Sequence, residues 1–260
     1  MWPVLVQWGG LTVGSYAALL SLGLAAATMI VAIEARRRRI PSDVWLDTVL
    51  AAITIGVVTA RLGYVLINWV YFKDHLRESL AIWEGGLSWH AGLLGGAVGA
   101  WLIAHRSADH RPIELLDLLA SAAPLGLVFG WLGCYLSAAA YGQELFPRQP
   151  FFFLAIDAPD LYGAINPRWP SQLLGAAWSA VVFAVMWLTR RRAWPAGLRW
   201  GLFLAAYSVG AWLIGFTRGD DIPHLAGWRL DQVFDMLVVF FGLLQLGRAA
   251  GSKRHDRSAT

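Results

Sequence analysis

The sequence predicts an all-α polytopic membrane protein, with about seven transmembrane helices and an outer (periplasmic-side) cap segment. Three observations predict it. Of 260 residues, 57% are hydrophobic and only 15% are charged, whereas a soluble domain carries nearer a quarter of charged residues. That is too little charge to cover a water-facing surface. The apolar residues also fall into runs close to the roughly 20 residues that a helix needs to cross a bilayer. Finally, the chain has 15 tryptophans, and indoles collect at membrane–water interfaces.

The runs lie at about 11–33, 47–70, 87–105, 114–136, 171–189, 200–217 and 230–248. No basic residue precedes the first run, and Arg36, Arg37, Arg38 and Arg39 follow it. That is the layout of a first helix with an exported N-terminus, not of a cleavable signal peptide. Residues 1–260 read as a single integral membrane domain. Its outer segments span about 70–86 and 137–170, and a flexible tail covers 251–260. The segment 137–170 is too long for a tight turn. Its run Phe151-Phe152-Phe153 favours an ordered cap lying on the outer leaflet.

Orientation follows from the basic residues. Fourteen lie on one side: Arg36 to Arg39, Arg106, Arg111, Arg190 to Arg192, Arg199, Arg248, Lys253, Arg254 and Arg257. Six lie on the other: Lys73, Arg77, Arg148, Arg168, Arg218 and Arg229. The richer side is cytoplasmic, so seven crossings set the N-terminus outside and the C-terminus in the cytoplasm. These basic clusters sit between apolar runs and form no basic face on a soluble fold, so no nucleic-acid partner is expected. The single cysteine, Cys134, allows no intramolecular disulfide and no cysteine-based zinc site. No metal or cofactor is expected.

Ionisable groups inside apolar runs are costly and mark functional sites. Arg61 lies midway along the second run and needs an anion, carbonyls or water; a lipid phosphate and a structural salt bridge are both open. His90 opens the third run after Glu84, which could orient it as a general base. Glycines at 92, 96 and at 95, 99 fit the small-residue spacing of close helix packing. Arg168 and Gln172 are four apart where the outer segment re-enters the membrane, with Pro170 suited to a first helical turn. Tyr16 and Tyr207 lie within apolar runs. Asp220, Asp221, Asp231 and Asp235 surround the last outer loop and are expected to balance Arg218 and Arg229.

These residues together resemble the bacterial prolipoprotein diacylglyceryl transferase family, along nearly the whole chain and in order. The matching stretches are Ser15-Tyr16-Ala17-Ala18, Arg61-Leu62-Gly63-Tyr64-Val65, Glu84 to Gly96, Pro124 to Gly142, Arg168-Trp169-Pro170-Ser171-Gln172-Leu173, and Gly201 to Leu204 with Tyr207 and Arg218. The resemblance implies a seven-helix enzyme of the bacterial plasma (inner) membrane. It would transfer a diacylglyceryl group from phosphatidylglycerol to the cysteine thiol of a lipobox-containing prolipoprotein. By this match His90 and Tyr207 are the catalytic candidates. Tyr16, Arg61, Gly142, Arg168, Gln172 and Arg218 would shape or support the lipid site. The chain departs from the family pattern at five places. Trp131 and Ala211 stand where arginines are expected, Cys134 where an asparagine is, and Ala139 and Gly215 where acidic residues are. Those departures motivate an alternative, a family relative with lost or altered catalysis that binds lipid or a membrane partner. A transporter would favour a discontinuous helix pair or an inverted repeat, and the sequence suggests neither.

Overall fold

The computed structural model describes residues 4–9, 11–82, 85–107 and 110–258. A short hairpin, β1 (Val4–Trp8) and β2 (Leu11–Gly14), leads into α1 (Ser15–Arg38). Then follow α2 (Ser42–Ile67), α3 (Trp69–Phe72), a 3-10 turn at Leu76–Leu80 and α4 (Trp89–Arg106). Next come α5 (Pro112–Ala120), α6 (Ala123–Leu136) and the hairpin β3 (Ile156–Pro159) with β4 (Ile165–Arg168). The chain ends in α7 (Ser171–Leu188), α8 (Leu198–Gly215), the small hairpin β5 (His224–Leu225) with β6 (Trp228–Arg229), and α9 (Leu230–Ser258). The last helix runs over most of the tail expected to be flexible; residues 259 and 260 lie outside the described residues.

Among the described residues, five helices are long and apolar enough to cross a membrane: Ser15–Arg38, Ser42–Ile67, Ser171–Leu188, Leu198–Gly215 and Leu230–Gly251. The run expected as one helix over 114–136 is instead broken. Its halves, α5 and α6, meet at 46° and could make a sixth span. Pro124 explains the break. It has no N–H to give, and its ring clashes with the carbonyl four residues back. The discontinuity that the sequence does not suggest is therefore present here, between α5 and α6. The α4 helix has 18 residues, but His90, His105, Arg106 and four glycines make it less apolar than the five.

Helices meet where side chains are small. A Cβ added at Gly95 would lie 1.9 Å from Thr59 Oγ1, and one at Gly99 would lie 2.7 Å from the carbonyl carbon of Ala51. So α4 lies backbone to backbone on α2. Lipid supplies no hydrophobic drive between helices, and close van der Waals contact holds them. One buried core cluster sits between α5, α7 and α8. Val182, Met186, Phe203, Leu204 and Tyr207 pack there, with Trp89 and Leu93 of α4 against them.

One end of the bundle is basic. Glu34 is fully buried and meets Arg37 at 2.7 Å, Arg38 at 3.6 Å and Arg190 at 3.9 Å. Asp117 accepts the N–H groups of Gly197 and Trp200, both at 2.7 Å. Those are orphan donors at the start of α8, which has no side-chain cap of its own. Arg199 turns back to the carbonyls of Thr189 and Arg190. Two of the basic clusters that the sequence assigns to one side, Arg36 to Arg39 and Arg190 to Arg199, thus gather around two carboxylates. They fix where α8 begins, and hence how deep Tyr207 sits.

Candidate active site

The opposite end is built from three crossing segments. Residue 143 donates its N–H to the Thr217 carbonyl at 2.8 Å, and Trp169 donates to the Gln143 carbonyl at 3.0 Å. Gly142 bridges Arg218, and Glu144 bridges Arg168. Only glycine fits at 142, because an added Cβ would lie 2.0 Å from the Trp169 carbonyl oxygen. Gly142→Ala must therefore push two paired backbones apart. We expect it to cost about 1–3 kcal/mol, read as a lower thermal midpoint in detergent; an unchanged midpoint would contradict this packing.

Arg168 is buried at this junction. Its Nη2 donates to Glu144 at 2.9 Å and to Asp160 at 3.1 Å, its Nη1 reaches the Gly142 carbonyl at 3.4 Å, and its guanidinium lies over the Tyr141 ring. Its buried Nε has no hydrogen-bond partner among the described residues. Gln172, also buried, donates to the Ala139 carbonyl at 3.0 Å. Arg218 chelates Asp220 and reaches Asp231 at 2.9 Å; Arg229 reaches the same two carboxylates at 3.0 and 3.3 Å. Two cations and two anions close a neutral quartet. Burial opposes ionisation of Asp220, but Arg218 and Arg229 beside it hold its carboxyl below the usual carboxylate range.

Arg61 stands apart from that junction. Buried beside Tyr64 and Phe72, it donates to the carbonyls of Ser79 at 2.9 Å, Gly85 at 2.7 Å and Gly86 at 3.1 Å, and to that of Glu78. Its hydrogen-bonding capacity goes to the chain itself, and no ion pair to it is present among the described residues. Together with the bond from Ser88 N–H to the Ala60 carbonyl, this grip fixes the entry into α4 and therefore His90.

His90 and Tyr207 come together across the bundle. The Trp89 ring lies 4.7 Å from Tyr207 and 4.9 Å from His90, centroid to centroid. Its indole N–H is 3.0 Å from His90 Nε2. That nitrogen is also 2.9 Å from Asp235 Oδ1. Glu84, the expected neighbour of His90, lies outside the described residues, and Asp235 of α9 is the carboxylate that meets the ring. Asp220 and Asp231 balance Arg218 and Arg229 as expected; Asp235 does not. Its signal in the sequence is the one that flags Arg61, an ionisable side chain within an apolar run.

Trp131, at a position where the resemblance expects an arginine, donates its indole N–H to the Tyr207 hydroxyl at 3.1 Å. Gly175 makes room for it, since an added Cβ there would lie 2.3 Å from the ring. Tyr16 packs on Gly133 in the neighbouring turn of α6. Because Trp131 occupies the Tyr207 oxygen as a donor, the phenolic proton is left to point elsewhere. Trp131→Phe should lower stability by about 0.5–1.5 kcal/mol. Thermal unfolding at matched detergent concentration measures it, and no change would mean the bond contributes nothing.

Fold and site together define a multi-pass membrane protein with a buried histidine–carboxylate pair and a buried tyrosine on either side of Trp89. The family model described as prolipoprotein diacylglyceryl transferase matches residues 3–247. The chain belongs to that family. It is 28% identical over 249 residues to the phosphatidylglycerol–prolipoprotein diacylglyceryl transferase of Streptococcus uberis, covering 93% of each chain. It is 29% identical over 248 residues to the protein of the same name from Streptococcus agalactiae serotype Ia, covering 94% of each. A Streptococcus pyogenes serotype M5 protein of that name is 28% identical over 244 residues, with 93% of each covered.

Proposed function

We propose that this protein transfers the diacylglyceryl group of phosphatidylglycerol to the lipobox cysteine thiol of a prolipoprotein. The observation that carries this is the meeting of His90 and Tyr207 around Trp89 in a chain of this family. The relatives' names state both substrates. In the reaction the thiol proton passes to His90 and the sulfur forms a bond to the glyceryl carbon. The bond from that carbon to the phosphate oxygen breaks, and glycerol phosphate leaves with the electron pair. Tyr207 donates its free proton toward that oxygen as charge develops there, a preorganised donor of the kind that lowers barriers by about 3–4 kcal/mol. With Trp131 and Ala211 in place of arginines, a larger share of this charge falls to Tyr207.

Tyr16, Gly142, Arg168 and Gln172 shape the lipid site from the outer end, and Arg218 supports it from within its ion-pair quartet. Arg61 contributes by holding the segment that leads to His90. The protein sits in the bacterial plasma (inner) membrane and crosses it seven times, α4 and the bent pair α5–α6 completing the count. Its N-terminus is outside and its C-terminus cytoplasmic. The gathering of Arg37, Arg38, Arg190 and Arg199 at one end supports this orientation.

The test is direct. Purified protein in nanodiscs containing phosphatidylglycerol is given a lipobox peptide, and the diacylglyceryl mass increment on cysteine is followed. Transfer should occur with phosphatidylglycerol and stop without it. A folded protein that gives no increment overturns the proposal in favour of the relative with lost or altered catalysis.

A further inference from the structure

Asp235 lies in the second turn of α9 with its side chain only 5% exposed. The nearby arginines do not require it, because Arg218 and Arg229 are already matched by Asp220 and Asp231. A carboxylate in an apolar helix is costly unless it is paired. Its partner is an imidazole, which differs from an arginine in one respect that matters for chemistry. An arginine neutralises a carboxylate permanently, whereas an imidazole does so only while it holds a second proton.

The geometry also selects a tautomer. His90 Nε2 faces Asp235 Oδ1 at 2.9 Å and the Trp89 N–H at 3.0 Å. One ring nitrogen serves one strong in-plane partner. If Nε2 is bare, it accepts from Trp89 and gives the carboxylate nothing. If it carries a proton, it donates to the carboxylate in a charge-assisted bond, the stronger of the two. Nε2 is therefore the protonated nitrogen, and Nδ1 holds the lone pair. No hydrogen bond is made at Nδ1 among the described residues. The rings of Trp89 and Phe234, at 4.9 and 5.4 Å, pack beside the imidazole and restrict its rotation.

We infer that Asp235 is the positioning residue of His90. It fixes the tautomer that is basic at Nδ1, holds the ring in place and stabilises the imidazolium formed when a proton arrives. This role rests on the transfer reaction proposed above for the identity of the proton donor, though the tautomer itself does not. The cysteine thiol proton moves to Nδ1, and the Nε2 proton stays on the ring. The sulfur lone pair forms the carbon–sulfur bond, and the carbon–oxygen electrons leave on glycerol phosphate, which can take the proton from Nδ1. Asp235 stays ionised throughout.

The test uses full-length protein in nanodiscs containing phosphatidylglycerol, with ring-15N histidine and His90→Gln to assign the signals. The wild type should show a protonated Nε2 and a bare Nδ1 at His90. Asp235→Asn should scramble that signature and lower kcat for transfer about 100-fold, with KM for peptide and lipid unchanged. Asp235→Glu should restore the signature and part of kcat. A wild-type His90 protonated at Nδ1 overturns the assignment, as does a folded Asp235→Asn protein with the wild-type signature and kcat. If Asp235→Asn does not fold, the wild-type signature and Asp235→Glu decide between the same two outcomes. If the wild type gives no transfer, the reaction proposed above fails, and the nitrogen signals alone judge Asp235.

Discussion

His90→Ala is expected to lower kcat for diacylglyceryl transfer by about 100- to 10,000-fold, the range that a positioned general base contributes. A thiol is mostly protonated near neutral pH, so removing the acceptor leaves the slow reaction of the few thiolates present. The same change strips Asp235 of its partner. Breaking a buried pair from one side costs about 3–5 kcal/mol, so activity and stability must be read separately. Single-turnover transfer measured well below the thermal midpoint does this, with His90→Ala/Asp235→Ala as the companion. The double variant should regain much of the midpoint and none of the rate. A His90→Ala protein that keeps its rate within a few-fold would remove His90 from the chemistry and favour a lipid-binding role.

The membrane class and the helix positions are legible in the sequence because both rest on local features, the length of an apolar run and the charges at its ends. The run at 171–189 becomes Ser171–Leu188, and that at 200–217 becomes Leu198–Gly215. The break at Pro124 is local too, but a proline early in an apolar run also suits a helix start, so composition alone does not reveal it. What the sequence cannot supply is pairing over distance. Arg61 is visible as a costly cation, yet its partners are carbonyls 17 to 25 positions away. Asp235 lies 145 positions from His90, and proximity in sequence assigned it to Arg218 and Arg229. Trp131 is visible only as a departure from a pattern. That it fills its place with a bond to Tyr207, in space left by Gly175, appears only when α6, α7 and α8 are brought together.

Arg218→Ala should be the most destabilising change at the junction of the three crossing segments, by about 3–5 kcal/mol, because it leaves Asp220 and Asp231 to share Arg229 alone in a largely buried site. Arg218→Ala/Asp231→Ala removes one charge of each sign and should cost less than the two single changes added together, with a coupling of about 1–3 kcal/mol. Acid provides an independent check. The Asp220 carboxyl is held below its ordinary range in the folded protein, so its contribution is fully present above about pH 4, the unfolded value. It is lost as the pH falls through the folded value. The stability gap between wild type and Asp220→Asn should therefore stay level from about pH 7 to pH 5 and narrow below about pH 4. A gap that persists unchanged to pH 3 would mean that the quartet is not what holds the loop. The same variants separate structure from lipid contact. Asp231→Ala loosens the quartet but keeps both cations. If Arg218 also meets the lipid phosphate, KM for phosphatidylglycerol rises further in Arg218→Ala than in Asp231→Ala. Equal values would assign Arg218 to the ion-pair network alone.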